Sequence, residues 1–170
     1  MNDASQIQEI LDRLRNRFYG KYRGTVVDVD AGSMAVKATV PAVLGTVTSG
    51  WCQPCVPYAG PQVGFCMLPD IGSGVWIEFE GGDVSLPIWT GCYWITSDIP
   101  SSADAAVKSI ITQAGTLAFD TKQSSITTTG AQSQTVMLDA QGVTITDSAG
   151  SVAVASSGVT INSGAMVISP

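Results

Sequence analysis

Four cysteines, a knot of acids and a set of aromatic rings are the residues that could do chemistry. Cys52 and Cys55 have the Cys-x-x-Cys spacing of zinc ligands. Cys66 and Cys92 do not repeat it, and both lie in apolar strand text. A free cysteine packs as a small hydrophobe, so core packing of all four is favoured over a zinc site or a disulfide. An origin in the cytosol also argues against the disulfide. Glu78 and Glu80 fall on one face of a predicted strand, with Asp83 just beyond. Paired carboxylates can hydrolyse glycosidic bonds, but no other polar catalytic partner accompanies these. A solvated strand face, or ion pairs to a neighbouring subunit, is the favoured reading.

The chain has no histidine, which removes the commonest general base and the commonest metal ligand together. Trp51, Trp76, Trp89 and Trp94, with Tyr58 and Tyr93, could stack nucleic-acid bases on a barrel. Residues 38–96 hold no Lys or Arg to meet the phosphates, so packing in the core and at subunit interfaces is favoured. Gly72-x-Gly74 and Gly81-Gly82 lack the Lys-Ser/Thr that completes a phosphate loop. The expectation is a protein that is not an enzyme and uses no cofactor and no metal.

The bulk composition fits that expectation. Of 170 residues, 45% are apolar and only 13% charged, which excludes the disordered class. No apolar run approaches the ~20 residues of a membrane helix. Residues 1–8 lack the basic and apolar regions of a secretory signal, so the protein is expected to be made and kept in the cytosol unless an assembly carries it out. Residues 1–37 carry six of the eight basic residues, and the remainder is acidic, for a net charge of −6. That balance disfavours nucleic acid as a partner. The basic cluster at 13–23 reads equally as a docking patch or as a solvated helix face.

Three regions must position these residues. Residues 1–18 read as a short helix capped by Asp3 or Ser5. Its stripe is Ile7, Ile10, Leu11, Leu14 and Phe18, spaced for one helix face. So short a helix is marginal alone, and its stripe needs either the following domain or another subunit. Residues 19–96 read as five short strands at 21–30, 34–40, 51–56, 74–80 and 88–94, separated by Gly and Pro. Five short strands suit a small closed barrel of the OB type. A linker at 97–105 leads to a third region at 106–170.

That third region repeats. Ile110-x-Thr112, Ile126-x-Thr128, Val143-x-Ile145 and Val159-x-Ile161 start 16, 17 and 16 residues apart. Leu117-x-Phe119, Val136-x-Leu138, Val152-x-Val154 and Met166-x-Ile168 alternate with them. A period of two gives each strand one apolar face, and repeated two-strand units predict a β-solenoid-like stack. One thin apolar face is a poor core for a lone chain, so several copies are expected to wind about a shared axis. A three-chain prism of such strands would be a rod about 40 Å long. A single-chain solenoid or a meander fits the periodicity too.

At this point the chain resembles a known family, that of phage baseplate assembly protein V and the valine-glycine-repeat spike of type VI secretion. The likeness spans 19–94. It runs from Tyr-Arg-Gly-Thr-Val-Val at 22–27 through Val-Pro-Ala-Val-Leu-Gly at 40–45 and the stretch 51–60. Its most specific part is Met-Leu-Pro-Asp-Ile-Gly-Ser-Gly-Val-Trp-Ile-Glu-Phe-Glu-Gly-Gly-Asp at 67–83, and it closes with Pro-Ile-Trp-Thr-Gly-Cys-Tyr-Trp at 87–94. The resemblance implies an all-β homotrimer with a short N-terminal helix, an OB-like barrel and an intertwined triple-stranded β-helix. Its OB domains would meet a ring of hub proteins at the end of the tail tube. Its β-helix would be the needle that touches and pierces the target membrane, as part of a virion or phage-tail-like particle.

The helix stripe would dock to hub or tube. The trimer core would be Leu117, Phe119, Val136, Leu138, Val143, Ile145, Val152, Val154, Val159 and Ile161. Some relatives carry a lysozyme domain between barrel and needle, and here no room exists for one. Others close their tip with His-x-His motifs that bind iron, which a chain without histidine cannot do. A separate tip cap protein is therefore expected on Met166, Val167, Ile168 and Pro170. Two other readings compete. A free OB-fold module for single-stranded nucleic acid or carbohydrate would be a monomer with salt-sensitive affinity. A hydrolase would turn over peptidoglycan.

Overall fold

The computed structural model describes residues 6–8, 10–11 and 17–168. The chain divides into two compact units, Met1–Ile99 and Pro100–Pro170. In the first, residues 6–8 and 10–11 are helical, and Ile7, Ile10 and Leu11 are exposed. Leu14, the expected caps Asp3 and Ser5, and Arg13 and Arg15 lie outside the described residues. Phe18 is not helical. Its N–H donates to the Gly82 carbonyl at 2.9 Å. Its ring meets Phe79 and Tyr22 edge-on, with centroids 6.5 and 6.4 Å away. It therefore leaves the expected stripe and joins the core.

Seven strands follow: β1 Tyr22–Asp30, β2 Ala35–Thr39, β3 Gln53–Pro54, β4 Ala59–Gly60, β5 Val63–Gly64, β6 Gly74–Phe79 and β7 Pro87–Tyr93. Five of them form one sheet in the order β2-β1-β6-β7-β3. Strict alternation drives the core. On β6, Val75, Ile77 and Phe79 turn inward while Trp76 and Glu78 turn outward. Val26, Val36, Ala38, Val40, Cys52 and Trp89 complete the buried cluster. A register shift between Val26 and Asp28 bends the long β1.

The expected closed barrel is not closed as a ladder. Its edge strands, β2 and β3, meet at an isolated bridge between Val36 and Cys52. There the Cys52 N–H donates to the Val36 carbonyl at 2.7 Å. The expected strand 51–56 shortens to Gln53–Pro54 because Pro54 and Pro57 have no N–H to give a ladder.

The second unit is a single antiparallel meander of eight strands, each paired with the next in chain order. They are β8 Val107–Thr112, β9 Gly115–Asp120, β10 Ser125–Gly130, β11 Thr135–Asp139, β12 Gly142–Thr146, β13 Ser151–Ala155, β14 Gly158–Ile161 and β15 Met166–Ile168. Within one chain the repeat is thus an open sheet and not a solenoid coil. Aspartates close its turns. Asp120, Asp139 and Asp147 each accept two backbone N–H groups from the two or three residues that follow. Gly142 sits at φ +142°, where a Cβ would run into the Val154 carbonyl of the adjacent strand. Only glycine allows that approach.

Candidate assembly face

The antiparallel register sorts one face of the meander into two straight rows. The first row runs Ile110, Leu117, Thr128, Val136, Ile145, Val152, Ile161, Met166. The second runs Lys108, Phe119, Ile126, Leu138, Val143, Val154, Val159, Ile168. All ten residues expected to form a shared core stand in these rows. Ile110, Ile126, Met166 and Ile168 stand there with them. The side chain of Val167, and Pro170, lie outside the described residues.

The pairing corrects the repeat at its start. Lys108-x-Ile110, not Ile110-x-Thr112, aligns with Ile126-x-Thr128, because the turn between Thr112 and Gly115 fixes the register of β8 on β9. Apolar spacing alone anchored on Ile110 and missed the two-residue offset.

These rows are bare. Ile145 is 52% exposed, Val154 49%, and Leu138 and Phe119 44% each. Among the described residues of 100–168 no side chain is buried. The face is also nearly uncharged. Lys108 is the one cation in the rows, and its Nζ turns back to the Ala105 carbonyl. Lys122 pairs with Asp104 away from the rows at 2.9 Å. The opposite face carries mostly smaller and more polar side chains, Ala118, Thr127, Thr144, Ala153 and Thr160, with Met137 among them. Along the first row the sheet and its turns enclose an open groove of about 540 Å³, walled by Val136, Ile145, Val152 and Ile161.

The residues that suggested chemistry in the first unit are otherwise engaged. Glu78 pairs with Lys21 at 2.7 Å. Asp83 pairs with Arg17 at 3.3 Å and accepts the Ser85 N–H and hydroxyl. The Ser85 N–H, then its hydroxyl, then Arg17 hold Asp83 below the ordinary carboxylate range. Glu80 lies in the short 3-10 turn Glu80–Gly82, beyond the end of β6, so it does not share a strand face with Glu78. Arg17, Lys21 and Arg23 from the basic cluster are all spent inside this unit. Arg23 lies over the Trp76 and Tyr93 rings at 5.2 and 4.9 Å.

The aromatic rings form no common platform. Trp89 is buried and donates its Nε1–H to the Met34 carbonyl at 3.1 Å. Trp51 lies beneath Lys37 at 4.4 Å, and Trp94 and Tyr58 are exposed. Only Cys52 fulfils the expectation of core packing. Burial raises its thiol pKa, and a hydrogen bond with Ser49 offsets part of the rise. Cys55, Cys66 and Cys92 are exposed free thiols. The described residues contain no cluster of three His, Cys, Asp or Glu side chains able to hold a metal. No described helix is long and apolar enough to cross a membrane.

No curated protein matches the chain. The family described as type VI secretion system/phage-baseplate injector OB domain matches residues 22–94. That span begins with β1 and ends one residue past β7, so it takes in the whole five-stranded sheet. Over residues 22–94, then, the chain is similar to the type VI secretion system and phage-baseplate injector OB domains.

Proposed function

We propose that this chain is the structural central spike of a contractile tail or injection-system baseplate, working as a homotrimer. The first unit attaches the spike to the hub at the tube end, and the second forms the rod that pierces the target envelope on contraction. A structural role in a baseplate goes with the family that the first unit matches. The rod reading rests on one observation: a sheet with two long apolar rows, interrupted by Thr128 and ended by Lys108, and no buried side chain among its described residues. Exposed apolar patches of this extent mark contact surfaces.

The occupant of the face is a second and third copy of this chain. The rows repeat at the strand spacing of about 4.8 Å, which an identical sheet matches layer for layer. They offer almost no charge for a partner of opposite sign to recognise. Three sheets set as the walls of a prism turn every row inward and bring their turns together at the corners. Such a dry, hydrogen-bonded prism transmits axial force without bending. The exposed Ile7, Ile10 and Leu11, with Leu14, supply the apolar stripe for the hub or tube. At the other end of the meander, β15 exposes Met166 and Ile168. These, with Val167 and Pro170, are the surface for a separate tip cap.

Light scattering on the purified full chain tests the reading. The expected mass is three times the 17.6 kDa chain, unchanged on dilution into the nanomolar range. A stable, soluble single subunit would remove the rod and leave a free OB module.

A further inference from the structure

We propose that Thr128 sets the axial register in which the copies assemble. This rests on the trimer reading above and adds to it a reason why the copies stop at one alignment.

The need for such a residue follows from the turns. At the edge beside the first row, the turns follow β8, β10, β12 and β14; at the other edge they follow β9, β11 and β13. Sliding one copy by a single strand sets turns against strand ends. Sliding it by two strands, about 10 Å, brings turns back in step with turns. In the first row, β11 to β14 then exchange Val136, Ile145, Val152 and Ile161 for one another. All are β-branched aliphatics of similar size, so this stretch resists slippage very little.

Thr128 is the one polar side chain inside the rows, since Lys108 stands at their outer end with its ammonium turned to the Ala105 carbonyl. It is exposed on the apolar face and lines the same groove as Val136 and Ile145. In the aligned assembly three Thr128 hydroxyls share one layer. Each can donate and accept, so the three can bond to one another or to a shared water. After a two-strand slip, each hydroxyl faces the methyl groups of Ile110 or Ile145 and is buried without a partner. A lone polar residue in an apolar seam selects register in coiled coils by the same asymmetry.

The test uses the full-length chain, with methyl NMR of labelled isoleucines and light scattering on each sample. Wild type and Thr128→Ser are expected to give one signal for Ile126 and one for Ile145, at trimeric mass. Thr128→Val is expected to stay trimeric, to melt no lower than wild type, and to split both signals into several. A single unsplit set in Thr128→Val would overturn the proposal and leave the bulk of Phe119 as the register marker. So would splitting in Thr128→Ser equal to that in Thr128→Val, or failure of Thr128→Val to assemble. A monomeric mass for the wild type would instead overturn the trimer reading itself.

Discussion

The two units place their apolar side chains in opposite ways. In the first, β6 and its neighbours hide Val26, Val36, Val75, Ile77 and Trp89 from water within one chain. In the second, residues of the same types, in strands with the same alternation, stay at the surface. Propensity is not what separates them. The first unit bends β1 at a bulge and brings β2 against Cys52, so its sheet curls over its own inner face. The second lays each strand beside the last in chain order and never returns, so its apolar face meets nothing of its own. A core can be completed within a chain or left open for copies, and topology decides which.

The sharpest way to break that comparison is to charge the open face. Val152→Asp with Val154→Asp puts two carboxylates on β13, one in each row. In a lone sheet both would sit in water at little cost. In a trimer six carboxylates would be buried together, each at several kcal/mol. The expected outcome is complete loss of the trimer by light scattering, with the first unit's near-ultraviolet circular dichroism retained. A double variant that still runs as an intact trimer would show that these rows do not face the shared axis.

Much of this contrast was legible in the sequence, and most of the failures share a cause. Period-two alternation located β1, β2, β6 and β7 to within a residue or two, because each is a half-buried strand. It also found the repeat and nearly all of both rows. Phe18 escaped because its partners, Phe79 and Gly82, are more than sixty residues away. Its spacing happened to continue a helical stripe. The first repeat was misread by two residues because the turn, not the apolar pattern, fixes register. Three cysteines were misplaced because apolar neighbours in sequence do not bury a thiol: Cys55 and Cys66 lie just past the ends of β3 and β5, outside any strand. β7 turns Pro87 and Trp89 inward, and a register shift then sets Cys92 across from buried Val75 near the strand's end, where its thiol stays exposed. For Phe18, the first repeat and Cys92 the deciding contact was across strands. The sheet's open ladder is of the same kind, set by prolines at the one strand that should have closed it.

A smaller effect sharpens the comparison from the other side. Ile77 is fully buried at the centre of the first unit. Ile77→Ala removes three carbons from a site walled by neighbouring strands and should cost about 2–5 kcal/mol. Calorimetry on the full chain is expected to show two transitions. The one that depends on protein concentration belongs to the assembled rows, since dissociation accompanies it. Ile77→Ala should lower the other transition and leave the concentration-dependent one, and the mass, where they were. If both fall together, the units do not fold independently.

The smallest expected effect is acid sensitivity. Asp83 is held below the ordinary value of 3.8 by the Ser85 N–H and hydroxyl and by Arg17. The Ser33 hydroxyl and the Gly32 N–H do the same for Asp30. A carboxyl whose folded pKa is depressed binds its proton more weakly folded than unfolded. Its contribution to stability is therefore complete above the unfolded value and disappears as pH falls through the folded one. Both carboxyls are solvent-accessible, so the change should be a shallow slope. The rows of the second unit hold no carboxylate, so burying them is insensitive to this titration. The Ala106 N–H and Lys122 lower Asp104 of the second unit as well, so melting followed from about pH 5 down to pH 2.5 should lower both transitions along shallow slopes. Asp83→Asn, which cannot titrate, should start from a lower melting point at pH 5 and show a shallower fall. An acid slope as steep in that variant as in wild type would assign the sensitivity to other carboxyls and leave the Arg17–Asp83 pair without a measurable part in it.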